Sequence, residues 1–331
     1  MRKSYCSIEK QLNSICKTSE ECMDTIFCNH GICKCDRIDY WAGRNCSTRK
    51  NIHASCTKTD ECTDFLYCIN RSCSCFDPLN DFWNGTVCIP KKKQGQTCFS
   101  SEECIGLLDC LSTDNQSVNK TICRRALECA DISFLRNDAY TIYPEDEHPK
   151  LAYCVIEGGV KWTVIQRRIN GSVDFDRTWQ EYKDGFGNVN GELWLGNEAI
   201  HMISSNGRHK LRVDLEVSNG GKSYAEYSTF LLNDEQSEYL LNVTGYSGTA
   251  GDSMDAVGYE GRVNGSPFTT KDRKNEIYSC NQMHHGGWWY VNCDYSDLNR
   301  EYGLNGYPSY MDWHYNLGTN VVKSRMMISK Y

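Results

Sequence analysis

An α+β globular domain preceded by small disulfide-rich repeats is the fold that this 331-residue sequence predicts. Three observations carry that expectation. Eighteen of the 21 cysteines precede residue 130, in a spacing that recurs along the chain. After Cys123 the composition turns cysteine-poor, aromatic and rich in Gly-Asn. Within that second half, "KLRVDLEV" at 210–217 alternates strictly, with Leu211, Val213, Leu215 and Val217 on one face, as in a half-buried strand.

The repeats come first along the chain. Cys16, Cys22, Cys28, Cys33, Cys35 and Cys46 define a six-cysteine pattern. Cys56, Cys62, Cys68, Cys73, Cys75 and Cys88 restate it, with two more residues in the last gap. Cys98, Cys104, Cys110 and Cys123 keep the first two gaps and lack the C-x-C pair. The text between them repeats too, as "CKTSEEC", "CTKTDEC" and "CFSSEEC". A period near forty residues marks an array of small units, each too poor in aliphatic residues to build a large core. Disulfides suit such units, and the chain's crowding of cysteines suits an oxidising, extracellular compartment. Zinc is the rival use of C-x-C, but the units supply few histidines. The predicted divisions are 1–14 (the tail of a repeat), 15–50, 51–92, 93–123 and 124–331. Cys6 stands at the distance before Cys16 that Cys46 keeps before Cys56. The chain is therefore expected to begin inside an earlier unit, which would also account for the lack of a signal peptide in "MRKSYCSIEK".

Charge and hydropathy exclude several classes. The net charge is −7, without the clustered basic face that a nucleic-acid partner requires. "PKKK" at 90–93 reads as a solvated linker. No apolar run approaches the length of a membrane span. Asn70, Asn84, Asn115, Asn119, Asn170 and Asn242 open N-x-S/T sequons, with Asn45 and Asn264 as weaker cases. In the C-terminal part, 161–169 and 224–232 are further strand candidates. Residues 181–186 and 196–204 read as short helices, the latter with Asn197 as N-cap, and 245–253 as a loop.

The spacing of residues 6–123 resembles the EB module, an EGF-like family of extracellular proteins, and a stiff spacer is expected there rather than a specific binding role. From Cys129 onward, "KWTVIQRRINGSVDFDRTWQEYKDGFGNVNGELWLGNEAIHMI", "GYSGTAGDSM", "FTTKDR" and "GGWWYVNCDYSDLN" resemble the fibrinogen C-terminal domain. That resemblance implies disulfides Cys129–Cys154 and Cys280–Cys293, and a recognition module rather than an enzyme. No nucleophile-elbow, zincin or phosphate-loop spacing speaks for catalysis.

The same resemblance implies two sites. A calcium loop would fall on "KDRKNE", where Lys274 takes an acid's place. Asp272 and Glu276 would be its remaining ligands, and a weakened or lost Ca2+ site is expected. A ligand pocket would use the amides of Cys280 and Asn281 and a cage of His284, Tyr307 and Pro308. Asp294 would stand where relatives often carry histidine. A carboxylate there suits an amine or guanidinium better than an acetyl methyl group. The predicted function is secreted, lectin-like pattern recognition in innate defence, binding glycans or amine- or acetyl-bearing surface groups. The alternative is a matrix or receptor-ligand protein that binds protein partners through the same domain. Assembly into homo-oligomers would convert weak single-site binding into avidity.

Overall fold

The computed structural model describes residues 9–112, 120–145, 148–255, 262–273, 286–290, 296–302 and 311–331, the side chains of 318–320 excepted. Residues up to 112 together with 120–124 form one compact unit, and residues from 125 to the end another.

The first unit holds the repeats. Two hairpins build the first repeat: β1 (Phe27–Asn29) with β2 (Ile32–Lys34), and β3 (Asp39–Trp41) with β4 (Cys46–Thr48). In the second, β5 (Tyr67–Ile69) pairs with β6 (Ser72–Ser74), and β7 (Asp81–Trp83) with β8 (Cys88–Pro90). The third has one hairpin, β9 (Asp109–Ser112) with β10 (Thr121–Arg124). Disulfides join first to third, second to fourth and fifth to sixth cysteines: Cys16–Cys28, Cys22–Cys33 and Cys35–Cys46, then Cys56–Cys68, Cys62–Cys73 and Cys75–Cys88. The third repeat retains Cys98–Cys110 and Cys104–Cys123. Cys123 faces Cys110 across β9 and β10 as Cys33 faces Cys28, so it is the fourth cysteine displaced by a longer hairpin. Among the described residues, the groups of three side chains placed to hold a metal are cysteine triplets such as Cys16, Cys22 and Cys33. The sulfurs of these triplets are spent in the bridges just given, which leaves them no thiolate for zinc.

The second unit is built on antiparallel strands. Along the chain come β11 (Asp138–Glu145), β12 (His148–Glu157), β13 (Val160–Arg168), helix α1 (Trp179–Asp184), β14 (Phe186–Gly187), β15 (Leu193–Trp194) and helix α2 (Asn197–Ser204). Then follow β16 (His209–Val217), β17 (Lys222–Leu232), β18 (Leu241–Gly248), β19 (Ser296–Asp297), β20 (Met311–Trp313) and β21 (Gly318–Lys330). The main sheet runs β11-β12-β13-β21-β16-β17-β18, with the four short strands off that path. This eleven-strand sheet stands beside few and short helices, among them α1 and α2 of 6 and 8 residues, so the head is mostly strand and the α+β label fits it only loosely.

Local chemistry explains these elements. β16 alternates in burial from His209 to Leu215, as the sequence pattern requires. β13 sits between β12 and β21, and its run Trp162–Gln166 is buried on both faces. Helix α1 begins at a capping box. The Thr178 hydroxyl accepts from the Glu181 amide while the Glu181 carboxylate accepts from the Thr178 amide. Hydrogen bonds to the carboxylate from the Thr178 amide first, then from the Thr178 hydroxyl, hold the Glu181 carboxyl below the ordinary carboxylate range. Helix α2 departs from expectation, because Gly196 is its N-cap. Asn197 instead lies inside the helix and accepts from Trp194 Nε1 at 3.0 Å. The expected loop 245–253 is strand as far as Gly248.

Candidate ligand site and its supports

Cys280, Asn281, His284, Asp294, Tyr307, Pro308, Glu276, Cys293 and the sequons Asn115 and Asn119 lie outside the described residues. The neighbouring segments 262–273, 286–290 and 296–302 are described, and so is Asp272.

The aromatic run is scaffold. Trp288, Trp289 and Tyr290 are almost fully buried. Trp289 packs against Phe268 (5.2 Å between ring centroids) and Trp194 (6.1 Å), and its Nε1 donates to the Tyr239 carbonyl at 2.9 Å. Such aromatic pairs add about 0.5–1.5 kcal/mol each beyond their buried area. Thr269 and Trp288 bridge to each other, joining the run to the loop at 268–273.

Two glycines ahead of the tryptophans are required by contact. A Cβ on Gly287 would lie 2.6 Å from the Tyr182 ring, and one on Gly286 would lie 2.4 Å from the Asn299 carbonyl oxygen. Tyr182, from α1, donates to the Phe175 carbonyl (2.8 Å) and accepts from the Gly287 amide (2.9 Å). Burial drives its phenol pKa far up, so it remains neutral.

The segment 296–302, which follows Asp294, is pinned from β13. Gln166 Nε2 donates to the Leu298 carbonyl at 2.8 Å, and the Arg168 guanidinium donates to the Arg300 carbonyl at 2.9 Å. Arg168 is 1% exposed and stacks on Phe175, 4.0 Å from the ring centroid. Burial lowers its pKa. Asn299 Nδ2 closes the circuit by donating to the Gly287 carbonyl at 2.9 Å. Sequence reasoning missed Gln166, Arg168, Tyr182 and Asn299. The available signal was "QRR" interrupting an otherwise apolar strand, where buried polar groups need fixed partners.

Asp272 does a structural task. Its Oδ1 accepts from the Trp179 amide at 2.9 Å, the first residue of α1, and from the Thr270 hydroxyl at 2.8 Å. Lys271 beside it pairs with Asp176, and Arg273 lies over the Trp179 ring at 3.9 Å while reaching Glu238. A calcium ion requires six to eight oxygens, roughly. Asp272 belongs to no three-ligand cluster among the described residues, and cations flank it. Glu276 and Lys274, the other residues of the expected calcium loop, lie outside the described residues.

The four described sequons are exposed. Asn70 occupies a tight turn with Arg71, both at positive φ, and Asn84 forms a side-chain turn onto the Thr86 and Val87 amides. Asn170 lies in a loop gathered by Glu192, which accepts from the Ile169, Asn170 and Gly171 amides. Asn242 lies on edge strand β18. Asn264 is different, because its Oδ1 accepts from the Val243 amide and its Nδ2 donates to Asp255.

A separate cleft of about 510 Å³ opens on the sheet beside Glu157, Arg212, Asp214 and Arg325. Its charges answer one another: Glu157 and Asp214 each contact both arginines.

These features define a modular protein, with disulfide-closed repeats followed by a β-rich head that has pinned loops. Its head is a known one. The family described as "Fibrinogen beta and gamma chains, C-terminal globular domain" matches residues 127–329, and the chain belongs to that family. Cys129 and Cys154 are bonded, as the family pattern implies. Angiopoietin-4 of Bos taurus is 39% identical over 218 residues, 61% of this chain and 42% of that protein. Fibrinogen-like protein A of Apostichopus parvimensis is 44% identical over 190 residues, 55% of this chain and 64% of the relative. The chain thus spans less than two thirds of the length of these relatives. Among solved structures, the fibrinogen-like globe domain of human ANGPTL6 superposes with a TM-score of 0.56 at 35% identity, covering 62% of this chain and 96% of that one. Lamprey fibrin D-dimer, complexed with the peptide ligand Gly-His-Arg-Pro-amide, superposes with a TM-score of 0.56 at 30% identity, covering 62% and 73%.

Proposed function

We propose that this is a non-enzymatic extracellular protein whose head binds a protein partner by capturing a cationic peptide segment. The observation that carries the reading is the relationship to lamprey fibrin, whose peptide ligand brings a free amino terminus and a guanidinium. Asp294 supplies the complementary charge at the position assigned to the pocket by resemblance. The nine described disulfides agree with an oxidising compartment. The lectin-like reading draws no comparable support from these relatives.

Calorimetry on the oxidised chain tests the proposal, with Gly-His-Arg-Pro-amide, its N-acetylated form and N-acetylglucosamine as titrants. The free-amine peptide should bind, and Asp294→Asn should weaken it about tenfold or more, the worth of a charge-assisted hydrogen bond. Binding of N-acetylglucosamine that is indifferent to Asp294→Asn, with no peptide binding, would restore the lectin reading.

The same reading has the head folding and binding without calcium, since Asp272 is committed to α1. Thermal unfolding should then be the same in millimolar Ca2+ and in chelator. A calcium-dependent rise in melting temperature that Asp272→Asn removes would overturn this.

A further inference from the structure

Three times in the repeat array, a lysine is held by a glutamate eleven residues later, in a geometry that is the same each time. The Lys10, Lys50 and Lys92 amides donate to the Glu21, Glu61 and Glu103 carbonyls at 2.7, 2.6 and 2.5 Å. In return the lysine carbonyls accept from the amides of Met23, Thr63 and Ile105 at 3.1, 2.9 and 2.9 Å. Each pair of bonds makes a parallel bridge from the lysine to a second cysteine: Cys22, Cys62 or Cys104. The ammonium of each lysine also pairs with the carboxylate of the same glutamate. Glu61 and Glu103 are buried, at 8% and 7% exposure. Thus "PKKK" is more than a solvated linker, because its middle lysine is bound.

The place of these lysines matters. Lys50 and Lys92 each stand four residues beyond the last cysteine of one repeat and are bound by the next. Between the end of β4 and Lys50 there is only Arg49, whose amide donates to the Ile38 carbonyl at 2.9 Å. Its guanidinium reaches Asp64 of the following repeat at 2.5 Å. Between the end of β8 and Lys92 there is only Lys91, whose amide donates to the Asn80 carbonyl at 2.7 Å. Beyond the lysine, the His53 and Gly95 amides donate to the Cys73 and Cys123 carbonyls. The two residues added to the second repeat lie between Cys75 and Cys88, so the lysine keeps its distance from the last cysteine.

From this geometry we infer that the lysine clasps close the joints, so that the repeats move as one stiff rod rather than as beads on a flexible string. The glutamate before each second cysteine is the socket, and the lysine four residues after the preceding repeat is the plug. The inference concerns the array alone and stands independently of what the head binds. The Glu61 carboxyl is pushed down to about 2, first by its hydrogen bond to Lys50 and then by the Thr57 hydroxyl. Because the folded value lies below the unfolded one, the clasp contributes in full above the ordinary carboxylate range. Its contribution disappears as pH falls through about 2. For Glu103 burial pulls the carboxyl up, but Lys92 and the Phe99 amide outweigh it.

Distance measurements across the first joint test the rod. Spin labels are carried on a ketone-bearing amino acid at Phe27 and Leu79, both exposed, in the oxidised full chain. A free nine-residue linker would spread the repeats by about 15–18 Å. The parent chain should instead give one narrow distribution. Lys50→Glu, which sets two carboxylates against each other, should broaden it at least about twofold, while Lys50→Arg should leave it narrow. A broad parent distribution, or a Lys50→Glu distribution as narrow as the parent, would overturn the inference. Hydrogen exchange in the unaltered chain keeps the test decisive if the Glu variant misfolds. Slow exchange at the Lys50 and Thr63 amides supports the clasp, and exchange at the free-peptide rate refutes it.

Discussion

The repeat array and the head solve the same problem by opposite means. In the array, Ile26 and Leu66 are the fully buried aliphatic side chains of the first two repeats; the other buried hydrophobic residues are cystines, with partly buried Trp41 and Trp83 among the side chains packed against them. In the head, one continuous core runs from Leu127 to Ile328, and Trp179, Trp194, Trp288 and Trp289 lie within it beside a single described disulfide. Covalent loops restrict the unfolded chain where there is little apolar area to bury, whereas area does the work where the domain is large enough to enclose it. The lesson is that the two halves should answer to different insults.

Reduction separates them most. Eight described bridges lie in the array, each worth roughly 2–4 kcal/mol, and its small cores bury little else. Under dithiothreitol, hydrogen exchange should become uniformly fast in residues 9–124 while the strands of the head stay protected. Equal loss of protection in β13, β16 and β21 would mean that the head too depends on its cystines. At the small end, Thr178→Ala removes half of the capping box of α1. It should cost the head about 1 kcal/mol in denaturant melts and leave the exchange pattern of the array unchanged.

Sequence made some of this legible and hid the rest for identifiable reasons. β16 was readable because one face is buried and the other is wet, which preserves a period of two. β21 was not, because it lies between β13 and β16, and Met326, Met327 and Ile328 are all buried. A strand covered on both faces loses its alternation. Asn197 looked like a cap because its type favours caps, yet the buried Trp194 indole needed an acceptor more. The cysteine spacing announced repeats but not their pairing, which depends on which residues face each other across hairpins such as β1 and β2. Of the pocket, the motif "GGWWY" identified a scaffold. The polar pins that hold its flanks come from β13 and α1, more than a hundred residues earlier in the chain. Asp272 was chosen as a metal ligand by resemblance, and its described partners are backbone and hydroxyl.

The clasps also determine how the array would respond to tension. Each of its described bridges closes inside one repeat, and none of these crosses a joint. A pull along the chain therefore loads the lysine clasps before any loop locked by sulfur can lengthen. Residues 47–55 and 89–97, between the last cystine of one repeat and the first of the next, bound what each joint could yield, about 30 Å at full extension once clasp and hairpin end give way. The oxidised array is in this sense a tether with two short reserves of length and hard stops beyond them.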